Sequence, residues 1–145
     1  MPRNATPVGE RPVRIDSSPA SPVTEIDRLC RLLARAPLFN GLACEDIVRF
    51  ARGVREVRVA RGEILFHRGD PCHGFHLILD GQIKLAFTSA EGNEKVVDIL
   101  YAGRSFGEAV MFMDKPYVVM AQALTDATLL HIGKQVFFEE MAGDP

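Results

Sequence analysis

Apolar residues recur every three or four positions in the first third of the chain and every second position from Val54 onward. The first spacing is that of a helix with one buried face, the second that of a strand with one buried face. VREVRVA, EILFH, GFHLIL, QIKLAFT, KVVDIL, YVVMAQAL and ATLLHI are seven strand-length runs. Turn-forming clusters separate them: Arg61-Gly62, Arg68-Gly69-Asp70-Pro71, Asp80-Gly81, Glu91-Gly92-Asn93, Ala102-Gly103 and Thr125-Asp126. The cleanest run is QIKLAFT, where Ile83, Leu85 and Phe87 alternate with Gln82, Lys84 and Ala86. No helix-length crossover lies between the runs, so an antiparallel barrel or jelly roll is expected rather than a parallel sheet. FGEAVMFMDKP is the one break in the series and predicts a small helical insertion before the penultimate strand.

Helices flank the roll. TEIDRLCRLLARAP sets Ile26, Leu29, Leu32, Leu33 and Ala36 on one face, with Thr24 as N-cap and Pro37 as the stop. PLFNGLACEDIVRFARGV predicts a turn at Asn40-Gly41 and a second short helix, with Ile47, Phe50 and Ala51 inward and Gly53 at its end. KQVFFEEM predicts a closing helix after Ile132. Residues 1–23 hold five of the nine prolines, with serines and arginines and almost no large apolar side chains, and read as a disordered leader. Its Arg3, Arg11 and Arg14 read as a solvated tail in preference to a nucleic-acid contact. Residues 24–145 then make one domain.

Composition changes this picture little. A chain of 145 residues, 47% apolar and 25% charged, suits a single domain with a packed core. A net charge of -2 argues against this stretch gripping a phosphate backbone by itself. Cys30, Cys44 and Cys72 are widely spaced with no C-x-x-C, which predicts neither a disulfide framework nor a zinc knuckle and makes a reducing cytoplasm the default. No signal-peptide pattern and no bilayer-length apolar run are present, so a cytoplasmic protein without a membrane partner is expected.

Candidate chemistry centres on the insertion. Glu108 precedes a run apolar enough to enter a core, and an unpartnered buried carboxylate costs several kcal/mol. Glu108 must therefore face water, a polar ligand or a neighbouring turn that it caps.

The order of R-G-D, D-G-x-I-K (80–84), E-G-x-E-K (91–95) and F-G-E (106–108) resembles the cyclic-nucleotide-binding-type sensor domain of the CRP/FNR superfamily of bacterial transcription regulators, across residues 24–141. The resemblance implies a mainly β domain with flanking helices, a double-stranded β-helix or jelly roll. It makes Phe106, Gly107, Glu108 and Ala109 a phosphate-binding cassette, in which N–H groups at a helix start hold the phosphate and Glu108 accepts a ribose hydroxyl. Family nucleotide binders follow the cassette with an arginine and a serine or threonine at the start of the next strand. Tyr117 and Val118 stand there instead. Loss of that cation removes a contact worth about 1.5–3 kcal/mol, and neither Lys84, on a polar strand face, nor Lys115, in a turn, is expected to replace it. The cavity is thus expected to be too apolar for tight cyclic AMP binding.

Within the superfamily, EAVMFMDKPYVVMAQAL is most similar to the DNR/NNR branch, regulators of denitrification genes that respond to nitric oxide through haem. The FNR branch fits less well, because its iron–sulfur cluster uses several N-terminal cysteines and only Cys30 precedes the second helix. Haem and a cyclic nucleotide are both candidate cofactors, and the effector is unknown. A haem ligand would come from His76, His131, His73 or His67; each singly reads as a surface or hydrogen-bonded side chain, and Met111, Met113 and Met120 read as core filler. The resemblance further implies a small-molecule effector that moves the cassette and closing helix, a homodimer in the full-length form, and DNA contact only through a C-terminal domain that would follow Pro145. A genuine cyclic-nucleotide receptor and a ligand-free dimerisation scaffold are the alternatives. No nucleophile elbow, H-E-x-x-H or Walker loop is present, so a non-catalytic protein is expected.

Overall fold

A computed structural model describes residues 10–12 and 22–142, with side-chain surroundings given for 28–142. In chain order the strands are β1 (Glu10–Pro12), β2 (Val54–Val59), β3 (Ile64–Phe66), β4 (Gly74–Asp80), β5 (Ile83–Thr88), β6 (Glu94–Leu100), β7 (Ser105–Phe106), β8 (Met120–Ala123) and β9 (Ala127–Gly133). The α-helices are α1 (Pro22–Leu33), α2 (Cys44–Ile47), α3 (Glu108–Met113) and α4 (Lys134–Ala142), and Val48–Gly53 continues α2 as a 3-10 helix. The strands form two antiparallel sheets, ordered β1-β2-β9-β4-β7 and β3-β8-β5-β6. This is the expected roll with flanking helices.

The helices cover the outer face of the first sheet. Phe39 and Phe137 meet Phe75 of β4 and Phe50 packs on both of them, with ring centroids 4.9–6.1 Å apart, and all four are at most 2% exposed. The second helix keeps its predicted inner face, with Ile47 and Phe50 buried. Gly53 ends it for a steric reason: a Cβ there would lie 2.7 Å from Val136 Cβ on α4. Exposed pairs from Arg52 to Glu139 at 2.9 Å and Glu140 at 3.3 Å decorate the same contact. Such pairs contribute little in water.

Several expectations need correction. The leader assigned to 1–23 lies outside the described residues except for Pro22 and Val23, which open α1, and Glu10–Pro12, which pairs with Arg55–Val57 of β2. Helix α1 begins at Pro22, so Thr24 lies within it and is not its N-cap; proline suits a first helical turn, where its missing N–H would have no partner. Leu29, Leu33 and Ala36 are buried as spaced, although α1 ends at Leu33 and a tight turn carries the chain on to Ala36. In β5 burial does not follow the alternation: Ala86 is fully buried and Phe87 is 38% exposed, past a register shift between Leu85 and Ala86 against β6. YVVMAQAL is extended only from Met120, because the chain from Asp114 to Val119 is occupied in closing α3 and hydrogen-bonding to the Arg68–Asp70 turn. Strand β7 was not anticipated.

The cysteine reading is also overturned. Cys30 and Cys44 form a disulfide, with Cα atoms 5.5 Å apart. Spacing in sequence gave no hint, since only the packing of α1 on α2 brings the two together.

Candidate functional site

Successive residues of β4 point to opposite faces. Phe75 meets the helices, so His76 turns inward between the sheets. Cross-strand pairing runs Arg55 to His131, His131 to His76, and His76 to Phe106, which sets these four residues in a row across the first sheet. Phe66 of β3 faces this row from the second sheet, 6.1 Å from the rings of both His76 and Phe106.

Tyr117 closes the arrangement. Its ring stacks flat on Phe66, with centroids 3.5 Å apart and planes 5° from parallel. Its backbone is pinned to the R-G-D turn: Gly69 N–H donates to the Tyr117 carbonyl at 2.8 Å, and Tyr117 N–H donates to the Asp70 carbonyl at 3.0 Å. Burial above all, then a hydrogen bond with Cys72 and the charge of Asp70, holds its phenol far above the usual tyrosine range. The Cys72 thiol is itself buried, donates to the Gly74 carbonyl at 3.2 Å and lies 4.0 Å from the Gly107 carbonyl. One thiol therefore lies between the start of β4 and Gly107.

Gly107 takes φ 96, a left-handed conformation that L side chains avoid, and turns the chain from β7 into α3. Asp114, at φ 57, turns it out again. At the helix start Glu108 accepts a hydrogen bond from the Ser105 hydroxyl and is half-buried, so its question has a local answer: a polar neighbour three residues back satisfies one carboxylate oxygen. Phe106 is buried in the aromatic row, while Ala109 and Val118 are exposed. Of the six expected ligand-site residues, Phe106 and Tyr117 both pack on Phe66, Gly107 lies against Cys72, Glu108 follows it in the chain, and Ala109 and Val118 are exposed.

The lysines behave as expected. Lys84 is paired with Glu94 at 2.7 Å and Lys115 is exposed.

The histidines divide in two. His67 is exposed with Nδ1 3.8 Å from Asp70, and exposed His73 uses its carbonyl to accept from Lys134 N–H. His76 is the one buried polar residue among those described, and its Nδ1 has no hydrogen-bond partner. Burial, then the neighbouring His131, keeps it neutral by pulling its pKa well below the usual value. His131 is depressed to about 4 by burial, then by His73 and Arg55. Met111 is buried filler, as expected, whereas Met113 is 56% exposed. No group of three or more His, Cys, Asp or Glu side chains suited to a metal occurs among the described residues.

Sequence reasoning missed Phe66 and Cys72. Both flank the R-G-D turn, and that proximity to the best motif was the only available signal. An open groove of about 500 Å³ lies elsewhere, lined by Arg58, Glu63, Asp80, Asp126 and Thr128, and includes none of the expected site residues.

Comparison with known proteins accords with this fold. The family model "Cyclic nucleotide-binding domain" matches residues 56–144. The CRP-like cAMP-activated global transcriptional regulator of Mycobacterium tuberculosis is 25% identical over 114 residues, covering 79% of this chain and 51% of that protein. The sensor domain of the transcriptional regulator DNR from Pseudomonas aeruginosa superposes with a TM-score of 0.75 at 27% identity, covering 81% of this chain and 79% of that one. The N-terminal domain of a transcriptional regulator from Streptomyces coelicolor A3(2) gives 0.69 at 32% identity, covering 76% and 77%. The chain spans about half the length of the curated relatives it matches.

Proposed function

Because the chain belongs to the cyclic nucleotide-binding domain family, in its CRP-like regulator group, we propose that it is an effector-sensing domain that does not grip a cyclic phosphate. One observation carries the reading: Tyr117, at the position where the resemblance places the phosphate-binding arginine, is buried and stacked flat on Phe66. A neutral phenol cannot supply the charge-assisted contact of a guanidinium. The effector that suits these residues is uncharged or weakly charged and meets aromatic rings rather than cations.

A route to the rest of a regulator is at hand. Phe112 of α3 packs edge-on against Phe137 and Phe138 of α4 at 5.9 and 5.6 Å, and Lys134 pairs with Asp114 at 3.1 Å. An effector that displaces Tyr117 would move α3 and, through these contacts, the closing helix. In a longer protein this would alter how two subunits and a DNA-binding segment are held.

The test is calorimetric titration with cyclic AMP and cyclic GMP. The expected result is no saturable binding below about 1 mM. Micromolar binding would overturn the proposal. Tyr117→Arg should gain cyclic AMP affinity, by tenfold or more if the guanidinium reaches the phosphate.

Haem sensing, the specific form the DNR likeness suggests, meets an obstacle in the described residues. His76 offers an orphaned Nδ1, but Phe106, His131 and Phe66 surround it with centroids at 5.2, 4.8 and 6.1 Å, too close for a porphyrin to enter between them. These residues do not fit haem in this arrangement. Hemin should accordingly give the same Soret spectrum with the wild type and with His76→Ala; a stoichiometric band lost in that variant would reverse this conclusion.

A further inference from the structure

We propose that Cys30 and Cys44 are a thiol–disulfide redox site whose oxidation fastens α1 to the rest of the domain, with small-molecule disulfides and thiols of the glutathione type as its reactants. The pair lies apart from the aromatic row around His76, and the proposal holds whatever effector those residues meet. Cys30, in α1, is 6% exposed, and Cys44, at the start of α2, is exposed. The cross-link closes a short loop of sequence separation 14. The third cysteine, Cys72, is buried and does not join the pair.

The placement gives the bond consequences. Arg28 and Arg31 of α1 are exposed, and its apolar face rests on the short α2 segment and the 3-10 helix Val48–Gly53. That 3-10 helix in turn carries α4 through Arg49, Arg52 and the aromatic rings. Fixing Cys30 to Cys44 therefore pins the amino-terminal helix to the platform that holds the closing helix. Releasing it removes the covalent tie and leaves the packing of α1 on α2 and the 3-10 helix.

Exposure orders the chemistry. The Cys44 thiolate attacks one sulfur of glutathione disulfide and expels a glutathione thiolate, leaving a mixed disulfide at Cys44. The Cys30 thiolate then attacks the Cys44 sulfur and expels the second glutathione. Two protein thiols lose two electrons and two protons, and glutathione disulfide gains both as two glutathione molecules. Reduction runs the same steps backwards, beginning at Cys44, the more exposed residue of the pair.

The experiment poises the full 145-residue chain in glutathione buffers from reducing to oxidising, traps free thiols with iodoacetamide in denaturant, where the buried Cys30 and Cys72 also react, and reads the intact mass and the cross-linked peptides. Hydrogen exchange at residues 28–33 is followed in both forms. The expected result is three alkylated thiols at the reducing end, one at the oxidising end with Cys30 joined to Cys44, and opening of α1 on the order of a hundredfold rarer when oxidised. Cys44→Ser, a change at an exposed position, should lock the exchange at the reduced level in every buffer. Three alkylated thiols under the most oxidising mixture, a cross-link involving Cys72, or identical exchange in the two forms would each overturn the proposal.

Discussion

The two faces of β4 are one residue apart in sequence and opposite in character. Phe75 looks out to Phe39 and Phe137, which Phe50 joins in an all-carbon cluster of buried rings. His76 looks in to Phe66, Phe106 and His131, where an imidazole nitrogen is buried without a partner and a thiol and a phenol share the space with aromatic rings. Burying an unsatisfied polar atom costs free energy that an apolar side chain would not. A fold selected for stability alone would put leucine or phenylalanine at 76. The contrast assigns stability to the outer face and makes the inner one the place of the effector response proposed above.

The strongest way to break this comparison is to open the outer face. Phe75→Ala and Phe137→Ala should each cost about 3–5 kcal/mol, read from the urea midpoint. A loss under about 1 kcal/mol would mean that the cluster is not the anchor.

Acid comes next and acts on the inner face. His131 is neutral in the folded state down to about pH 4, while the unfolded chain takes up a proton below about 6.5. The unfolded state then binds more protons between these values, so stability falls as pH drops from about 6.5 to 4, by at most about 3 kcal/mol from this group. His76 is shifted in the same direction and adds to the slope. His131→Gln should flatten the dependence of the urea midpoint across that window; an unchanged slope would show that His131 is charged or solvated.

The smallest effect sharpens the contrast most. His76→Leu removes the orphaned nitrogen and should leave stability unchanged or raise it by about 1 kcal/mol, against the loss expected at its neighbour Phe75. A clear loss would reveal an unseen partner for Nδ1.

Much of the fold was legible from residue order. Period and punctuation placed seven of the eight strands after residue 54, both later helices and the insertion at Gly107, because each is dictated by neighbours a few positions away. β7 has only two residues, too short for any period, and β5 broke its alternation because pairing with β6 shifts register where no local residue demands it. At the site, Gly107 and Glu108 were readable from the F-G-E motif and Tyr117 from its place after the insertion. The company they keep was not: Phe66 and Cys72 reach Tyr117 through the fold of the R-G-D turn.

The sequence by itself determined the alternation that makes a roll, the helices that cover it and the absence of a guanidinium after the cassette, since each is a matter of which residue stands where. Tertiary structure alone decided that Tyr117 lies flat on Phe66, that His76 is buried with an unmet nitrogen, and that Cys30 meets Cys44. These are contacts between residues distant along the chain, and their geometry is set by how sheets and helices pack, which no local pattern encodes.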